Sequence, residues 1–480
     1  MAAQRIRIPF VGPAYLTRSP NQSAQRLINW YVEATEQGGK TEYALYPTPG
    51  LRLGVKIGTG PVRGAVEVNG GHVYVVSGSE VFRVSPGFTT AKAGSIGTSR
   101  GQVGMAYNGD QVIIVDGQRG YIVDVAKNEL KPITDVDFPS TVTWAQYLDR
   151  YFVVGGDGSG RFYISDIADG KNWVGTEYAT AEGDPDPLIA GIVNHRELIL
   201  MGTNSFEIWV NTGNTTFPIE RTGNAFGETG CAAVATLCKM KGELLWLGKD
   251  RSGDGVVWRM DGYSPVRVST HALEWEIRQY GRIDDAVAYT YQMGGSAWYV
   301  LHFPSADRTW VYNINGNYWH EWLAFDAATG LFHRHRSNCH FMLGRDHVVG
   351  DWETGELFVL DATIYTDNGK TIRRVRSTYA EDADLKRVFF SSLQIDLQAG
   401  VGLVAGQGSE PRMMLRWSND GGHTWSNTRV ATMGRLGQYG ARCIWNRLGN
   451  GRARVWEISV TDPVNAVVLG AVMMGEAGES

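Results

Sequence analysis

The sequence predicts an all-β protein: a β-propeller of about seven blades, preceded by an extended N-terminal arm and followed by a β-sandwich-like domain. Three observations predict it. The 480 residues include 60 Gly with 16 Trp and 21 Tyr, which suits many tight turns between strands that bury large side chains. A strand–turn–strand–turn–strand unit recurs through the middle of the chain every 39 to 54 residues, the spacing of propeller blades. After residue 362 that repeat stops and gives way to alternating strands of a different kind.

Residues 1–60 are expected to form an extended arm and lead-in strand. Pro9, Pro13 and Pro20 punctuate it without a sustained period, so it should lie on something else. SAQRLINWYVEAT suits a short helix or an extended segment equally well. The propeller is expected over 61–362. HVYVVSGSEVFRV (72–84), QVIIVDGQRGYIVDV (111–125), YFVVGGDGSGRFYISDI (151–167), ELILMGTNSFEIWV (197–210) and ELLWLGKDRSGDGVVWRM (243–260) each pair an apolar strand with a second one across a turn. AWYVLHFPSADRTWVYNI (297–314) and HVVGDWETGELFVLD (347–361) are looser copies. An upstream strand ending in a polar turn precedes each hairpin. One such sheet cannot cover both its faces, so the units should pack around a ring. Seven copies give seven blades, or six if one lies outside the ring; two stacked antiparallel sandwiches are the competing arrangement. THALEWEIRQY (270–280) is the best candidate helix, and 363–480 the sandwich-like domain.

Net charge is −5, with 45 basic and 50 acidic residues. A surface that clamps nucleic acid throughout needs a basic excess, whereas a wall that DNA slides past does not. Cys231, Cys238, Cys339 and Cys443 form no disulfide framework or paired metal pattern. No signal-peptide pattern opens the chain, and AVVLGAVMM is too short to span a bilayer. Synthesis in a cytoplasm is the expectation.

SNDGGHTW (418–425) fits the Asp-box, a hairpin motif best known from sialidase propellers. Its chemistry is structural: Ser418, Asp420, Gly422, Thr424 and Trp425 supply a carboxylate cap, a permissive turn and a packed ring. Sialidase-like folds carry one box per blade; here a single box lies outside the blades, so no catalytic role is assigned to it. EGDPDP (182–187) places Glu182, Asp184 and Asp186 at alternate positions, as a calcium loop or as a proline-stiffened solvated loop, the reading preferred. HRHRSNCH (333–340) groups His333, His335, Cys339 and His340 without the spacing of a zinc module. GGDGSG (155–160) lies between strands and is a hairpin turn, with no helix N-terminus to hold phosphate. No cofactor is expected. Arg373, Arg374, Arg376, Lys386 and Arg387, then Arg435, Arg442, Arg447, Arg452 and Arg454, read as a solvated or inter-subunit face, with a DNA-contacting rim as the alternative.

The two ends of the chain carry a family resemblance. Gln25, Asn29, Tyr31 and Glu33, followed by Thr48-Pro49-Gly50-Leu51, resemble the opening of the packaged-DNA stabilisation, or tail-hub nozzle, proteins of short-tailed bacteriophages. FFSSLQIDLQAGVG, the Asp-box and WNRLGNGRARVWEISVTDPVNAVV (445–468) look like the same family's C-terminal part. The resemblance implies a virion tail protein, assembled in the bacterial cytoplasm. It would form a ring, a hexamer, beneath a portal-bound adaptor. There it would close the channel over packaged DNA and later let the genome out. Tailspike or fibre proteins and a tail needle would be its neighbours. DNA would cross the lumen without sequence-specific binding, and no membrane insertion is expected. The family is not known for catalysis. A sialidase-like glycan hydrolase and a glycan-binding propeller are the alternatives.

Overall fold

A computed structural model describes residues 4–14, 25–35, 41–181, 183–250, 253–378, 381–382 and 386–478. The chain divides into two compact units. One comprises Leu53–Asp307 and Arg336–Leu360, and it is a propeller. Its first four blades are four-stranded antiparallel sheets, running Val62–Val68 to Thr89–Ser95, Gly104–Tyr107 to Glu129–Pro132, Trp144–Leu148 to Asp169–Thr180, and Leu188–Asn194 to Ile219–Gly227. The fifth is built around Glu243–Asp250 and Gly253–Asp261. The sixth contributes the pair Val287–Met293 and Ser296–Phe303. The seventh contributes Ser337–Leu343, Asp346–Asp351 and Glu356–Asp361.

Seven inner strands close a ring. Val62–Val68 touches Gly104–Tyr107, which touches Trp144–Leu148, and that strand touches Leu188–Asn194. The fifth blade is reached through Val234–Thr236; Cys238–Met240 then meets Val287–Met293, which meets Ser337–Leu343, and the last returns to Val62–Val68. The blade count is therefore seven.

The second strands of the first four blades carry an apolar run because both their faces are covered. Val73 and Val75 pack toward the seventh blade with Phe341 and Val348, while Tyr74 and Val76 pack toward the second with Val112 and Ile114. Ile113 and Val115 then face the third blade with Phe152 and Val154, and Leu198 and Leu200 divide from Ile199 and Met201 in the same way. Period-2 alternation between two apolar neighbours leaves no polar face to read. Turns between the first two strands are often the two-residue type with positive φ at both centres: Asp149 and Arg150, His195 and Arg196, Gly294 and Gly295. That twist matches the strands it joins. Among the described residues the one α-helix is His271–Arg278, its first turn capped by the Thr270 side chain accepting from Leu273 N at 3.2 Å.

The other unit comprises Met1–Arg52, Arg308–His335 and Asp361–Ser480, and it is a sandwich. One sheet runs Trp30–Ala34, Tyr43–Pro47, Val468–Ala477, Val388–Leu397 and Cys443–Asn446. The second includes Tyr318–Glu321, Leu27–Ile28, Arg374–Ser377, Ala453–Val460, Arg412–Ser418 and Arg429–Thr432. Between them lie Phe10, Trp30, Leu393, Met413, Trp456 and Ile458, all nearly inaccessible to solvent.

The arm is extended where described, and what it lies on is its own chain. Gln4–Ile8 pairs antiparallel with the last strand, from Gln4 opposite Gly475 to Ile8 opposite Ala471. Trp30–Ala34 and Tyr43–Pro47 form a hairpin, with Trp30 Nε1 donating to Ala466 O at 2.8 Å. Of the segment that suited helix or strand, the described residues form strands at Leu27–Ile28 and Trp30–Ala34, because Leu27, Ile28, Trp30 and Val32 all enter the sandwich core or its flank. Pro20 lies outside the described residues.

Candidate functional site

The Asp-box turn joins two paired strands of the sandwich, Arg412–Ser418 and Arg429–Thr432. Ser418 Oγ donates to Asp420 Oδ1 at 2.6 Å and accepts from Gly422 N at 2.8 Å. Thr424 donates its backbone N to Oδ1 at 2.8 Å and its hydroxyl to Oδ2 at 2.6 Å. Gly422 has φ +100°. Trp425 is half-buried, with the Arg416 guanidinium 4.4 Å from its ring centroid, and Arg416 also pairs with Glu457 at 2.6 Å. These bonds from Ser418 and Thr424 hold the Asp420 carboxyl well below the usual carboxylate range. The carboxylate is spent on its own turn. Asp420→Asn should raise amide hydrogen exchange in 418–426 and lower the sandwich's resistance to denaturant, with the wild-type advantage disappearing as the pH falls below the carboxylate range.

Acidic residues in the propeller are committed in the same way. Asp116 accepts from Gln118 N and Arg119 N at 3.0 and 2.8 Å and from Thr98 Oγ1 at 2.9 Å. Asp157, within GGDGSG, accepts from Ser159 N at 2.9 Å and Tyr163 Oη at 2.9 Å. Asp186, within EGDPDP, accepts from Asn204 N at 2.5 Å and Ser205 Oγ at 3.1 Å. Asp351 accepts from Thr354 N at 3.0 Å and pairs with Arg336. Each pins the turn between the second and third strands of its blade. An Asp at or just after an apolar run (IVDG, VVGGDG, VVGD) was the available signal for Asp116, Asp157 and Asp351. Asp186 comes from the preceding loop and had none. Of the calcium-loop trio, Glu182 lies outside the described residues.

The His/Cys group is not brought together. His335 is buried against Trp322, ring centroids 3.8 Å apart, in the sandwich unit. Cys339 and His340 belong to the propeller's seventh blade. Among the described residues no group of three or more His, Cys, Asp or Glu side chains could hold a metal ion. All four cysteines are free.

His340 instead joins a seam between the sixth and seventh blades. Its Nε2 lies 3.0 Å from His347 Nδ1, Tyr289 stacks on it at 6.0 Å and Tyr291 stands 5.7 Å away. Burial, then the neighbouring His347, pulls His340 down to about 3. Burial lowers His347 as well, against the opposing charge of Asp346. Folded imidazoles that resist protonation contribute stability fully above the unfolded value of about 6.5 and lose it as the pH falls toward the folded value. Denaturant titrations should therefore show the propeller weaker at about pH 5 than at neutrality. In His340→Phe that pH-dependent loss should shrink.

The arginines do not form one face. Arg374, Arg376 and Arg454 are almost wholly buried. Arg376 donates Nε to Phe10 O at 2.7 Å and Nη2 to Gly12 O at 3.2 Å, clamping the arm. Arg454 donates to Asn419 Oδ1, Leu448 O and Asn450 O at 2.7–2.8 Å beneath the Phe390 ring at 4.2 Å. Neither the solvated face nor the DNA rim describes these three, since each finds its acceptors inside the sandwich. Arg373 is half-buried over Phe325 and Phe332. Lys386, Arg387, Arg435, Arg442, Arg447 and Arg452 are exposed.

Along the propeller axis lies a cavity of about 380 Å³, lined by all seven inner strands, with Arg63, Gln146, Lys239 and His340 among the polar residues. Arg63 is occupied: it donates to Gly101 O, Gly78 O, Thr98 O and Arg100 O at 2.7–2.9 Å. The volume is that of a small-molecule pocket.

Comparison with known proteins agrees with both halves of this architecture. The family model "Bacteriophage P22 Gp10, beta-propeller" matches residues 6–365, and "Bacteriophage P22 Gp10, beta-sandwich" matches 373–476. Among solved structures, the N-terminal domain of Nup159 is similar at 11% identity and a TM-score of 0.41, over 71% of this chain and 99% of that one. The extracellular domain of BT4673 from B. thetaiotaomicron is similar at 10% identity and 0.42, over 92% of this chain and 62% of that one. No curated protein matches. With its seven-bladed ring and its sandwich, the chain belongs to the Bacteriophage P22 Gp10 family of phage stabilisation proteins, structural components of the virion.

Proposed function

We propose that this chain assembles as a ring, a hexamer, at the distal end of the portal–adaptor channel of a short-tailed phage. There it closes the channel over packaged DNA and becomes the conduit for ejection. The observation that carries the reading is the family match across both units. The reading places the conduit between copies, apart from the axial cavity of about 380 Å³ within each propeller. A net charge of −5 suits a wall that DNA passes without binding. The virion tail is the location this implies, with the portal-bound adaptor, tailspike or fibre proteins and tail needle as neighbours. The Asp-box serves as a pinned hairpin, and the chain catalyses nothing.

Imaging the purified protein mixed with a portal–adaptor complex tests this: a ring should be added at the distal end. Failure to join, together with turnover of a fluorogenic sialoside, would overturn the assembly in favour of a glycan hydrolase. Failure to join with retention on a glycan column would favour a glycan-binding propeller.

A further inference from the structure

Two loops of the sandwich unit, 398–411 and 433–442, are built to hold apolar side chains in solvent. Their undersides are anchored, with Val401 packed against the core and Met433 buried in it. They touch where glycine is required: a Cβ on buried Gly402 would lie 2.8 Å from Leu436 N. Gly437 N donates to Gly400 O at 3.2 Å, Leu403 N to Gly408 O at 2.8 Å and Gln438 N to Arg435 O at 2.9 Å. On this hydrogen-bonded frame Leu403, Val404, Leu436 and Tyr439 are 41%, 88%, 56% and 79% exposed. An apolar cluster held in water by a fixed backbone marks a contact surface.

The charges around it select the partner. Arg412, Arg435 and Arg442 stand beside the cluster, with Arg412 and Arg435 side chains 65% and 62% exposed. Glu410 pairs with Arg435 and lies 3.9 Å from Arg412. Asp462 accepts from the backbone N of Arg412 at 2.8 Å, and Arg442 donates to Gln394 at 2.7 Å. Three arginines against two carboxylates leave one net positive charge beside aliphatic side chains and an exposed tyrosine, a composition that suits a segment resting on an anionic bilayer.

We propose that this two-loop tip is a peripheral contact for an anionic lipid surface. Leu403, Val404 and Leu436 enter the boundary between headgroups and acyl chains, Tyr439 sits at headgroup level, and the arginines meet lipid phosphates. The tip lies on the bilayer and does not span it. The contact needs no assembled ring, so its test is independent of the assembly proposed above.

The full chain is floated with vesicles of phosphatidylcholine alone and of phosphatidylcholine with equimolar phosphatidylglycerol. Binding to the anionic vesicles should be roughly fivefold tighter, and should weaken with salt. Val404→Asp and Leu436→Asp should each reduce it about tenfold with an unchanged melting temperature, because both side chains stand in solvent. Equal binding to both vesicle types, or none to the anionic ones, would overturn the proposal. So would concentration-dependent self-association that Val404→Asp abolishes, which would assign the tip to a second copy of the chain.

Discussion

Asn29→Asp should cost about 3–5 kcal/mol of sandwich stability, the penalty for leaving a buried charge without a partner. Asn29 is wholly buried with φ +56°. Its Nδ2 donates to Leu323 O and Arg373 O, both at 2.8 Å, and its Oδ1 accepts from Leu323 N at 2.8 Å. Its backbone N donates to Glu321 O at 2.9 Å, and its carbonyl accepts from Thr48 N at 3.1 Å. One side chain thereby joins three separated stretches of chain. Aspartate keeps the shape and one acceptor, but strands two carbonyls and adds a charge. Asn29→Gly separates the causes: it suits the left-handed backbone and loses only the side-chain bonds. Urea denaturation followed by tryptophan fluorescence should rank wild type above Gly, and Gly above Asp. Equal midpoints for Gly and Asp would show that the carboxylate is not what hurts.

The second large effect is expected at the closure of the propeller. Ile57 N donates to Gly355 O at 2.7 Å, tying the strand that enters the unit to its last blade. A Cβ on Gly355 would stand 1.8 Å from Ile57 O, backbone against side chain with nothing flexible to yield. Gly355→Ala must push the two segments apart, breaking that bond and loosening the apolar seal of Ile57, Val62, Phe341 and Leu357. A loss of about 2–4 kcal/mol combines overpacking with the abandoned hydrogen bond. It should appear as faster proteolysis near residues 53–61 and 352–360 and a lower melting temperature. A melting temperature within a degree or two of wild type would show that the ring is closed by other contacts.

The propeller was legible because its second strands must be apolar on both faces, so runs such as VYVV, VIIV and LILM stand out. The sandwich was harder to delimit. Its sheets draw Gln4–Ile8, Leu27–Ile28 and Tyr318–Glu321 from distant parts of the chain, and no local pattern says which edge a short strand will join. The arginines misled for a related reason. Clustered guanidiniums resemble a charged face, and only tertiary structure shows that Arg376 and Arg454 have backbone carbonyls to satisfy them. Asn29 and Glu33 stood out through family likeness alone; the hydrogen bonds that explain Asn29 run to residues some 300 positions away.

Pairing the first described strand with the last also has a temporal meaning. Gln4 meets Gly475, roughly 470 residues later. At about 5–20 residues per second the ribosome takes on the order of 25–95 s to supply that partner. Throughout that interval Ile8, Phe10 and Trp30 have no finished sandwich to enter, while the propeller's local hairpins can already form. The nascent chain must therefore shelter these early strands until Val468–Ala477 emerges, and that late strand, rather than the propeller, completes the sandwich.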